Sequence, residues 1–236
     1  MKKVKFEDLG LMRYKPCWDY QEEVFKDIVS QKIASRKSSA KEENNVHPTS
    51  RLIFVEHPHV LTLGRSGDAS NVIVSPARLA ELGVDYFPIN RGGDITYHGP
   101  GQLVAYPIFD LAQYFTDIHK YLRFLEEAVI RTCGDFGVDA GRIDGLTGVW
   151  IDVDSGINAR KICAFGVKAS RWVTMHGLAF NVDSDLDFFD LIVPCGIADR
   201  GVTTLSKEVG RKVSLEEVKP ILKRHLKDLF EWNEIV

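Results

Sequence analysis

The stretch RGGDITYHGPGQLVAYPI, residues 91–108, joins a glycine-rich segment directly to an apolar one. Its first part, residues 91–102, has four glycines and one proline in twelve residues. Glycine lets a backbone approach a ligand closely, and loops between strands often carry function. The pattern is neither a Walker A loop nor G-x-G-x-x-G, so a phosphate cradle is not supported. Residues 91–102 are either an irregular hairpin or a binding loop, and the Arg, Tyr and His among the glycines favour the binding loop.

The sequence around this loop alternates short apolar runs with a few amphipathic segments, which predicts the fold class. The loop is followed by an apolar run and preceded by others, whereas helical spacing and capping residues mark the helices. We predict strands over 51–57, 60–64, 84–90, 102–111, 148–153, 161–171 and 172–182, and helices over 19–35, 75–83, 116–137 and 214–230. Strands neither alternate regularly with long helices nor come all together. This favours one α+β domain over 1–236, with a mixed, largely antiparallel sheet and flanking helices.

Two segments carry no such pattern. Residues 36–50 are polar and contain no plausible core, so we interpret them as a surface loop. Residues 201–213 stay ambiguous.

Composition excludes several classes of protein. The 236 residues are 44% hydrophobic and 27% charged, with a net charge of −3, as in ordinary globular proteins without a general attraction to nucleic acid or membrane. The first ten residues lack the apolar region of a secretory signal, and no apolar run approaches the roughly 20 residues that span a bilayer. The cysteines are far apart in sequence, which indicates reduced thiols and a cytoplasmic protein. They are Cys17, Cys133, Cys163 and Cys195.

Cys195 lies in the run IVPCGI, between Pro194 and Gly196. Proline fixes its own φ and glycine permits unusual conformations, so this cysteine is expected on a sharp turn after an apolar run. It is either a small packed side chain or a nucleophile. His98 or His176 is a candidate base for a nucleophile, since the two need not be close in sequence.

Lys161 is a second candidate for chemistry. Strand alternation places it on one face with Cys163, Phe165 and Val167, although lysine is rarely buried without a partner. It either reaches solvent from the start of the strand or serves as a functional amine. An ammonium group near a thiol lowers the pKa of that thiol, so Lys161 and Cys195 would assist each other if the fold brings them together.

Metal binding finds little support in the sequence. No histidine or cysteine spacing resembles a zinc site. The acidic run 183–190 lacks the central glycine and terminal glutamate of a calcium-binding EF-hand loop. We predict no metal.

Three motifs together resemble a known family. They are RGGDITYHGPGQLVAYPI (91–108), RKICAFGVKASRWVTMHGLAFNV (160–182) and LIVPCGI (191–197). With these motifs in this order, the sequence resembles the octanoyltransferases of lipoate biosynthesis, which are also called lipoyl(octanoyl) transferases. The resemblance extends from the N-terminal helix to about Leu205. The resemblance implies the fold of the biotin and lipoyl protein ligase catalytic domains. It also implies transfer of an octanoyl or lipoyl group from acyl carrier protein to a lysine, with no cofactor.

The resemblance also implies partners and site residues. The acceptors would be lipoyl domains of 2-oxoacid dehydrogenase E2 subunits and the glycine-cleavage H protein, with no nucleic acid or membrane partner. Cys195 would be the nucleophile that carries the acyl thioester, and Lys161 would lower its pKa. Phe165 departs from the smaller aliphatic residue expected there, while Gly166, Gly177 and Ala179 would leave room for the chain. The implied substrate-binding residues are Arg91, Gly92, Gly93, Asp94, Ile95, Thr96, Tyr97, His98, Ala164, Phe165, Gly166, Gly177, Leu178 and Ala179.

Two other functions compete with this interpretation. An ATP-dependent lipoate or biotin ligase of the same fold needs no cysteine, and the sequence shows no recognisable ATP-binding motif. A non-catalytic module that binds acyl carrier or lipoyl domains would need neither Lys161 nor Cys195. Because carrier proteins of this kind are acidic, we also expect a basic rim around the site. The candidates are Arg91, Arg160, Lys168 and Arg171.

Overall fold

The computed structural model describes residues 2–38, 47–193 and 201–235. The helices are α1 (Tyr14–Ser38), α2 (Pro76–Glu81), α3 (Ile118–Asp135), α4 (Leu205–Val209) and α5 (Leu215–Phe230). The strands are β1 (Lys3–Leu11), β2 (Ser50–Glu56), β3 (Val60–Leu63), β4 (Asp85–Pro88), β5 (Ile95–His98), β6 (Gln102–Ile108), β7 (Ala140–Ile143), β8 (Leu146–Ile151), β9 (Arg160–Ser170), β10 (Val173–Asn181), β11 (Gly201–Val202) and β12 (Asn233–Ile235).

A large mixed sheet forms the centre of the molecule. Its strand order is β12-β1-β2-β6-β10-β9-β8-β7, and β11 pairs with the start of β9. The pairs β1–β2, β1–β12 and β9–β11 are parallel, whereas β2–β6, β6–β10, β9–β10, β8–β9 and β7–β8 are antiparallel. The predicted α+β class with a mixed, largely antiparallel sheet is therefore confirmed.

A second, small sheet holds the glycine-rich segment. It has the order β4-β3-β5, with β3 parallel to β4 and antiparallel to β5. β5 lies inside the predicted loop 91–102, because ITYH (95–98) alternates side chains like a strand and pairs with all of β3. The irregular part of that loop is thus confined to the residues on either side of β5.

Helices cover both faces of the large sheet. On one face, α3 and α5 bury Leu125, Val129, Leu222 and Leu226 in the largest apolar cluster, together with Phe180 of β10. On the other face, α1 buries a second apolar cluster against β2, β6 and β10. Burial of these apolar stripes is the main force that holds helix to sheet.

Local sequence signals explain where the helices begin. Ser214 caps α5 through a capping box with Glu217, in which each residue binds the main chain of the other. Ser75 caps α2 with proline in the first turn, and Asp117 caps α3. Within the described residues no helix is long and apolar enough to cross a membrane.

The structure describes the ambiguous segment 201–213 in full and the expected surface loop 36–50 in part. Residues 201–213 begin with β11 and continue into α4, which Thr204 caps and Gly210 ends in a left-handed conformation. Of the expected surface loop 36–50, residues 36–38 belong to α1 and Ser50 begins β2. Residues 39–46 lie outside the described part of the chain.

Candidate active site

A cavity of about 370 Å³ lies where the glycine-rich segment meets β9 and β10 of the large sheet. The Gly92 amide donates a 2.9 Å hydrogen bond to the Val167 carbonyl, which ties the segment to β9. Most of the predicted site residues line this cavity. They are Arg91, Gly92, Gly93, Asp94, Ile95, Thr96, His98, Lys161, Ala164, Phe165, Gly166, Gly177, Leu178 and Ala179.

Tyr97 is the predicted binding residue that does not line the cavity. Strand alternation in β5 turns it away from Thr96 and His98. Its ring is fully buried and stacks on Phe188 with centroids 5.3 Å apart, and its hydroxyl lies 2.8 Å from His59 Nδ1. Tyr97 therefore packs the small sheet against the chain before Cys195.

Arg91 braces the glycine-rich segment from inside. Its guanidinium donates to the Thr62 carbonyl at 2.7 Å and to the Thr62 hydroxyl at 3.1 Å. A Cβ on Gly166 would lie 2.8 Å from Arg91 Cδ, and a Cβ on Gly64 would lie 2.2 Å from the Gly93 carbonyl oxygen. Glycine at positions 64 and 166 thus allows a close approach of the chain, and the expectation that Gly166 leaves room for a ligand stays a prediction.

Gly177 has a similar explanation. A Cβ there would lie 2.1 Å from the Ala105 carbonyl oxygen and 2.7 Å from Pro107 Cδ, both on the neighbouring strand β6. Close packing of β10 on β6 thus requires a glycine at this position, while the expectation that Gly177 also leaves room for the acyl chain stays a prediction.

A β-bulge gives Lys161 a different orientation from the one predicted. Val149 of β8 pairs with Cys163, but the next residue, Trp150, pairs with Lys161, so Ile162 is an extra residue in β9. A bulge of this kind reverses the alternation of side chains beyond it. Lys161 consequently lines the cavity with Ala164, whereas Cys163 lies fully buried in the largest apolar cluster. The expectation that Lys161 and Cys163 share a face is wrong for this reason.

The Lys161 side chain is held against aromatic and glycine neighbours. Its ammonium lies 4.6 Å from the centroid of the Trp150 ring. Gly148 has a φ of 145°, and a Cβ there would lie 3.2 Å from Lys161 Cε and 3.0 Å from Trp150 Nε1. The buried Glu126 carboxylate accepts a 3.0 Å bond from the Gly148 amide. Helix α3 therefore supports the strand that carries Trp150.

The cysteines within the described residues are unsuited to nucleophilic work. Cys17, Cys133 and Cys163 are free and buried. Burial raises the pKa of Cys17 and of Cys133 to about 12, and raises that of Cys163 well above its ordinary value. A thiol that keeps its proton is a poor nucleophile.

Cys195 lies outside the described residues, but the chain on both sides of it is placed. Before it, the Val193 amide donates a 2.8 Å bond to the Asn71 carbonyl. After it, Gly201 and Val202 pair with Arg160 and Lys161 and line the cavity. The described chain after the segment 194–200 thus lines the cavity, and the chain before it is fixed to Asn71.

Buried histidines lie at the site and are held neutral. Burial lowers the pKa of His98 and of His176 to about 3 and that of His57 to about 4. His98 donates through Nδ1 to Gln102 Oε1 at 2.7 Å. His176 has a left-handed backbone, φ 63°, and donates through Nε2 to Asn90 Oδ1 at 3.2 Å. Groups with so low a pKa are weak general bases near neutral pH, which disfavours them as partners of a cysteine.

Most of the side chains expected to form a basic rim are buried or paired with carboxylates of the protein. Arg91 is buried, Arg160 pairs with Glu208 at 3.0 Å, and Lys168 pairs with Glu22 at 3.0 Å. Arg171 is the exposed member of the four candidates.

Several lining residues escaped the sequence analysis. Tyr14, Val104, Tyr106, Leu122 and Trp150 reach the cavity from α1, β6, α3 and β8. Val104 and Tyr106 lie in the apolar part of the motif 91–108, whereas Tyr14, Leu122 and Trp150 lie outside all three motifs. The pairing of β8 with β9 would have shown that Trp150 lies beside Lys161, but this pairing cannot be derived from the sequence alone.

Comparison with known proteins places this chain in a family. The family described as the lipoyl protein ligase A/B catalytic domain matches residues 14–227. The chain belongs to this family. An octanoyltransferase of Cytophaga hutchinsonii is 57% identical over 98% of this chain and 94% of its own length. One of Flavobacterium johnsoniae is 54% identical over 98% of this chain and 97% of its own length.

A solved structure has the same fold. It is a bipartite lipoate protein ligase with its E2 lipoyl domain from Thermoplasma acidophilum, with a TM-score of 0.68 and 19% identity over 100% of this chain and 88% of that one. Family membership and the high identity to octanoyltransferases make the chain an acyltransferase. The resemblance to octanoyltransferases and the expected fold of the lipoyl protein ligase catalytic domain are both confirmed.

Proposed function

We propose that this acyltransferase moves an octanoyl group from octanoyl-acyl carrier protein to a lysine of a lipoyl domain, through a thioester on Cys195. The observation that carries the proposal is the position of Lys161. A bulge turns its amine into the cavity, and β11, which ends the segment containing Cys195, pairs with Lys161 itself. The octanoyltransferases that resemble the chain over nearly its whole length support the same acyl group.

The first half-reaction is a thioester exchange. The Cys195 thiolate attacks the carbonyl carbon of the octanoyl thioester, and the carrier's thiolate leaves and takes up a proton from the Lys161 ammonium, which leaves Lys161 as a neutral amine. A thiol with an ordinary pKa near 8.5 is only a few per cent thiolate at neutral pH. The Lys161 ammonium favours the thiolate form, which raises the reactive fraction.

The second half-reaction forms the amide. The neutral amine of the acceptor lysine attacks the thioester carbonyl, and the Cys195 thiolate leaves. The new amide nitrogen then gives up one proton, which Lys161 accepts as a neutral amine. An amide is more stable than a thioester, so this step drives the whole transfer.

The cavity suits a medium-length acyl chain. An extended octanoyl group is about 10 Å long and needs an apolar slot. Val104, Leu178 and Ala179 give the cavity an apolar wall, and Leu122 and Phe165 add to it. Within the glycine-rich segment the amides of Gly92, Ile95 and Gly101 bind Val167, Asp94 and Glu56, so the oxyanion would be held by another of its backbone amides, such as that of Gly93.

The partners follow from the chemistry. The donor is octanoyl-acyl carrier protein, and the acceptors are lipoyl domains of 2-oxoacid dehydrogenase E2 subunits and the glycine-cleavage H protein. Gly145 and Thr147 line the cavity and are exposed, so they are accessible to a lipoyl-domain lysine. We place the reaction in the cytoplasm, where a catalytic thiol stays reduced.

Intact-mass measurement tests this function. The pure protein is incubated with octanoyl-acyl carrier protein and no ATP, and we expect one hydroxylamine-labile octanoyl adduct on Cys195. Cys195→Ala should gain none and should lose transfer to a lipoyl domain. Cys163→Ala, the control at a buried cysteine, should still be acylated. Acylation that needs ATP and free octanoate would indicate a ligase, and binding without any adduct would indicate a non-catalytic module.

A further inference from the structure

Asn71 joins Asp94, which lines the cavity, to the chain that leads to Cys195. It ends the short 3-10 helix 69–71, and its side-chain amide donates a 2.8 Å bond to Asp94 Oδ2. Its main-chain carbonyl accepts a 2.8 Å bond from the Val193 amide. One residue thus connects the glycine-rich segment to the chain two positions before Cys195.

The Asp94 end of this connection is firmly fixed. Asp94 Oδ1 accepts a 2.7 Å bond from the Ile95 amide, and the Asp94 carbonyl accepts a 3.0 Å bond from the Gly64 amide. A Cβ on Gly67 would lie 2.6 Å from Asp94 Oδ1, so the chain of residues 64–67 packs directly against this carboxylate. Asp94 borders the cavity, but its carboxylate is bound to the protein.

The Val193 end is a short antiparallel contact. The Ile73 amide donates a 3.1 Å bond to the Leu191 carbonyl, and Val72 forms a bridge with Ile192. Residues 71–73 therefore position residues 191–193 main chain to main chain. A shift of Asn71 would be passed on to Val193 through this contact.

We infer that Asn71 is a positioning residue for acyl transfer. Its side-chain bond to Asp94 fixes the Asn71 carbonyl, and that carbonyl holds the Val193 amide. The bond therefore fixes the point from which the chain continues to Cys195. The inference rests on the proposed role of Cys195 as nucleophile. Displacing a reacting group by about 1 Å can cost about a hundredfold in rate, so a hydrogen bond far from the substrate can be important to catalysis.

An exchange of the two side chains tests the inference. Asn71→Asp places a second carboxylate against Asp94, and the two like charges repel. In the double variant Asn71→Asp/Asp94→Asn, an amide on residue 94 can donate to a carboxylate on residue 71, which restores the bond with its direction reversed. The cycle of parent, two single variants and double variant isolates the coupling between the residues. Asn158→Asp, the same change at an exposed asparagine, is the matched control.

The measurement is single-turnover acylation by octanoyl-acyl carrier protein, read by intact mass, with KM for the carrier and the thermal midpoint measured beside it. We expect Asn71→Asp to slow acylation about tenfold or more with KM little changed, and the exchange to restore most of the rate. If Asn71 had only a structural role, the variant would have a lower thermal midpoint, but its acylation rate would not fall selectively while KM stayed the same. Asn71→Ala, which adds no charge, should give a smaller loss and serves if the aspartate variant does not fold.

The outcomes separate this inference from the proposed function. A parent protein that gains no octanoyl group on Cys195 contradicts the thioester route, and the inference fails with it. If the parent is acylated, a folded Asn71→Asp or Asn71→Ala variant that reacts at the parent rate overturns the inference alone. A slow Asn71→Asp variant that the exchange does not restore also overturns it.

Discussion

The Lys161 ammonium lies 4.6 Å from the centroid of the Trp150 ring, across the paired strands β8 and β9. The contact depends on the bulge at Ile162, without which the two residues would not be opposite each other. A cation over an aromatic face gains about 0.5–2 kcal/mol, depending on how far it is removed from water. Trp150 therefore both positions the amine and favours its charged form.

Replacement of Trp150 should reveal this contribution. Trp150→Phe keeps an aromatic face and should acylate within a few-fold of the parent. Trp150→Leu removes the face, and we expect single-turnover acylation to fall by about tenfold, the equivalent of ~1.4 kcal/mol. Trp172→Leu, at a tryptophan that is 40% exposed on the β9–β10 turn, is the control and should not change the rate. Equal rates for the leucine and phenylalanine variants at position 150 would contradict the argument.

Lys161 variants should separate the two half-reactions. Lys161→Arg keeps a positive charge but cannot accept a proton near neutral pH. We expect it to form the octanoyl-enzyme and then to stall at transfer to the lipoyl-domain lysine. Lys161→Ala should raise the pKa of the Cys195 thiol and lower acylation, by about tenfold at neutral pH for each unit of pKa.

Alkylation of Cys195 by iodoacetamide across a pH series measures that thiol directly. The profile of Lys161→Ala should move to higher pH than the profile of the parent. Identical profiles would show that the two residues do not interact. An arginine variant that completes transfer at the parent rate would remove the proton-accepting role.

The helices of this fold could be predicted from sequence because their signals are local. Helix α5 was expected over 214–230 and runs from Leu215 to Phe230, since Ser214, Glu217 and the apolar stripe all lie within the segment itself. Helix α1 was expected from residue 19 but begins at Tyr14, because Arg13, the residue before it, is not of a capping type and does not mark the start.

Strands that depend on distant partners were harder to predict. β1, residues Lys3–Leu11, is rich in charged residues and was not expected as a strand, and it is held by parallel pairing with β2 and β12. The bulge at Ile162 likewise depends on the register of β8, so simple alternation misplaced Cys163. Asn71 and Trp150 were missed for the same reason, because each contributes through a residue far away in the sequence.

Gly177 offers a test of the packing between β10 and β6. A Cβ at Gly177 would lie 2.1 Å from the Ala105 carbonyl oxygen, so Gly177→Ala must force the strands apart. We expect a loss of about 1–3 kcal/mol, or several degrees in the thermal midpoint at ~2–4 °C per kcal/mol. Gly134→Ala in α3 is the control, because a Cβ at Gly134 would meet nothing within 4 Å. It should be neutral or stabilising by about 0.4–1 kcal/mol. A Gly177→Ala protein as stable as the parent would contradict the close approach.

The buried histidines should make the free energy of unfolding depend on pH. Burial lowers the pKa of His57 to about 4 and that of His98 and His176 to about 3, against 6.5 for an ordinary histidine. As pH falls below 6.5 the unfolded chain takes up these protons before the folded chain does. The stability that the neutral histidines provide is therefore fully present above about pH 6.5 and is lost progressively toward pH 4.

His57→Gln tests this dependence with little change in hydrogen bonding. His57 donates through Nδ1 to the Met12 carbonyl at 2.6 Å and accepts through Nε2 from the Tyr106 hydroxyl at 2.9 Å, and a glutamine amide can do both. Each such histidine contributes a slope of up to about 1.4 kcal/mol per pH unit within the window. Urea unfolding at several pH values from about 4.5 to about 7, which covers most of that window and the plateau above it, should give a shallower pH dependence for His57→Gln than for the parent. His119→Gln, at an exposed histidine of α3, should leave the slope unchanged. If His57→Gln and the parent lose stability equally toward acid, His57 takes up its proton in the folded protein as readily as in the unfolded chain.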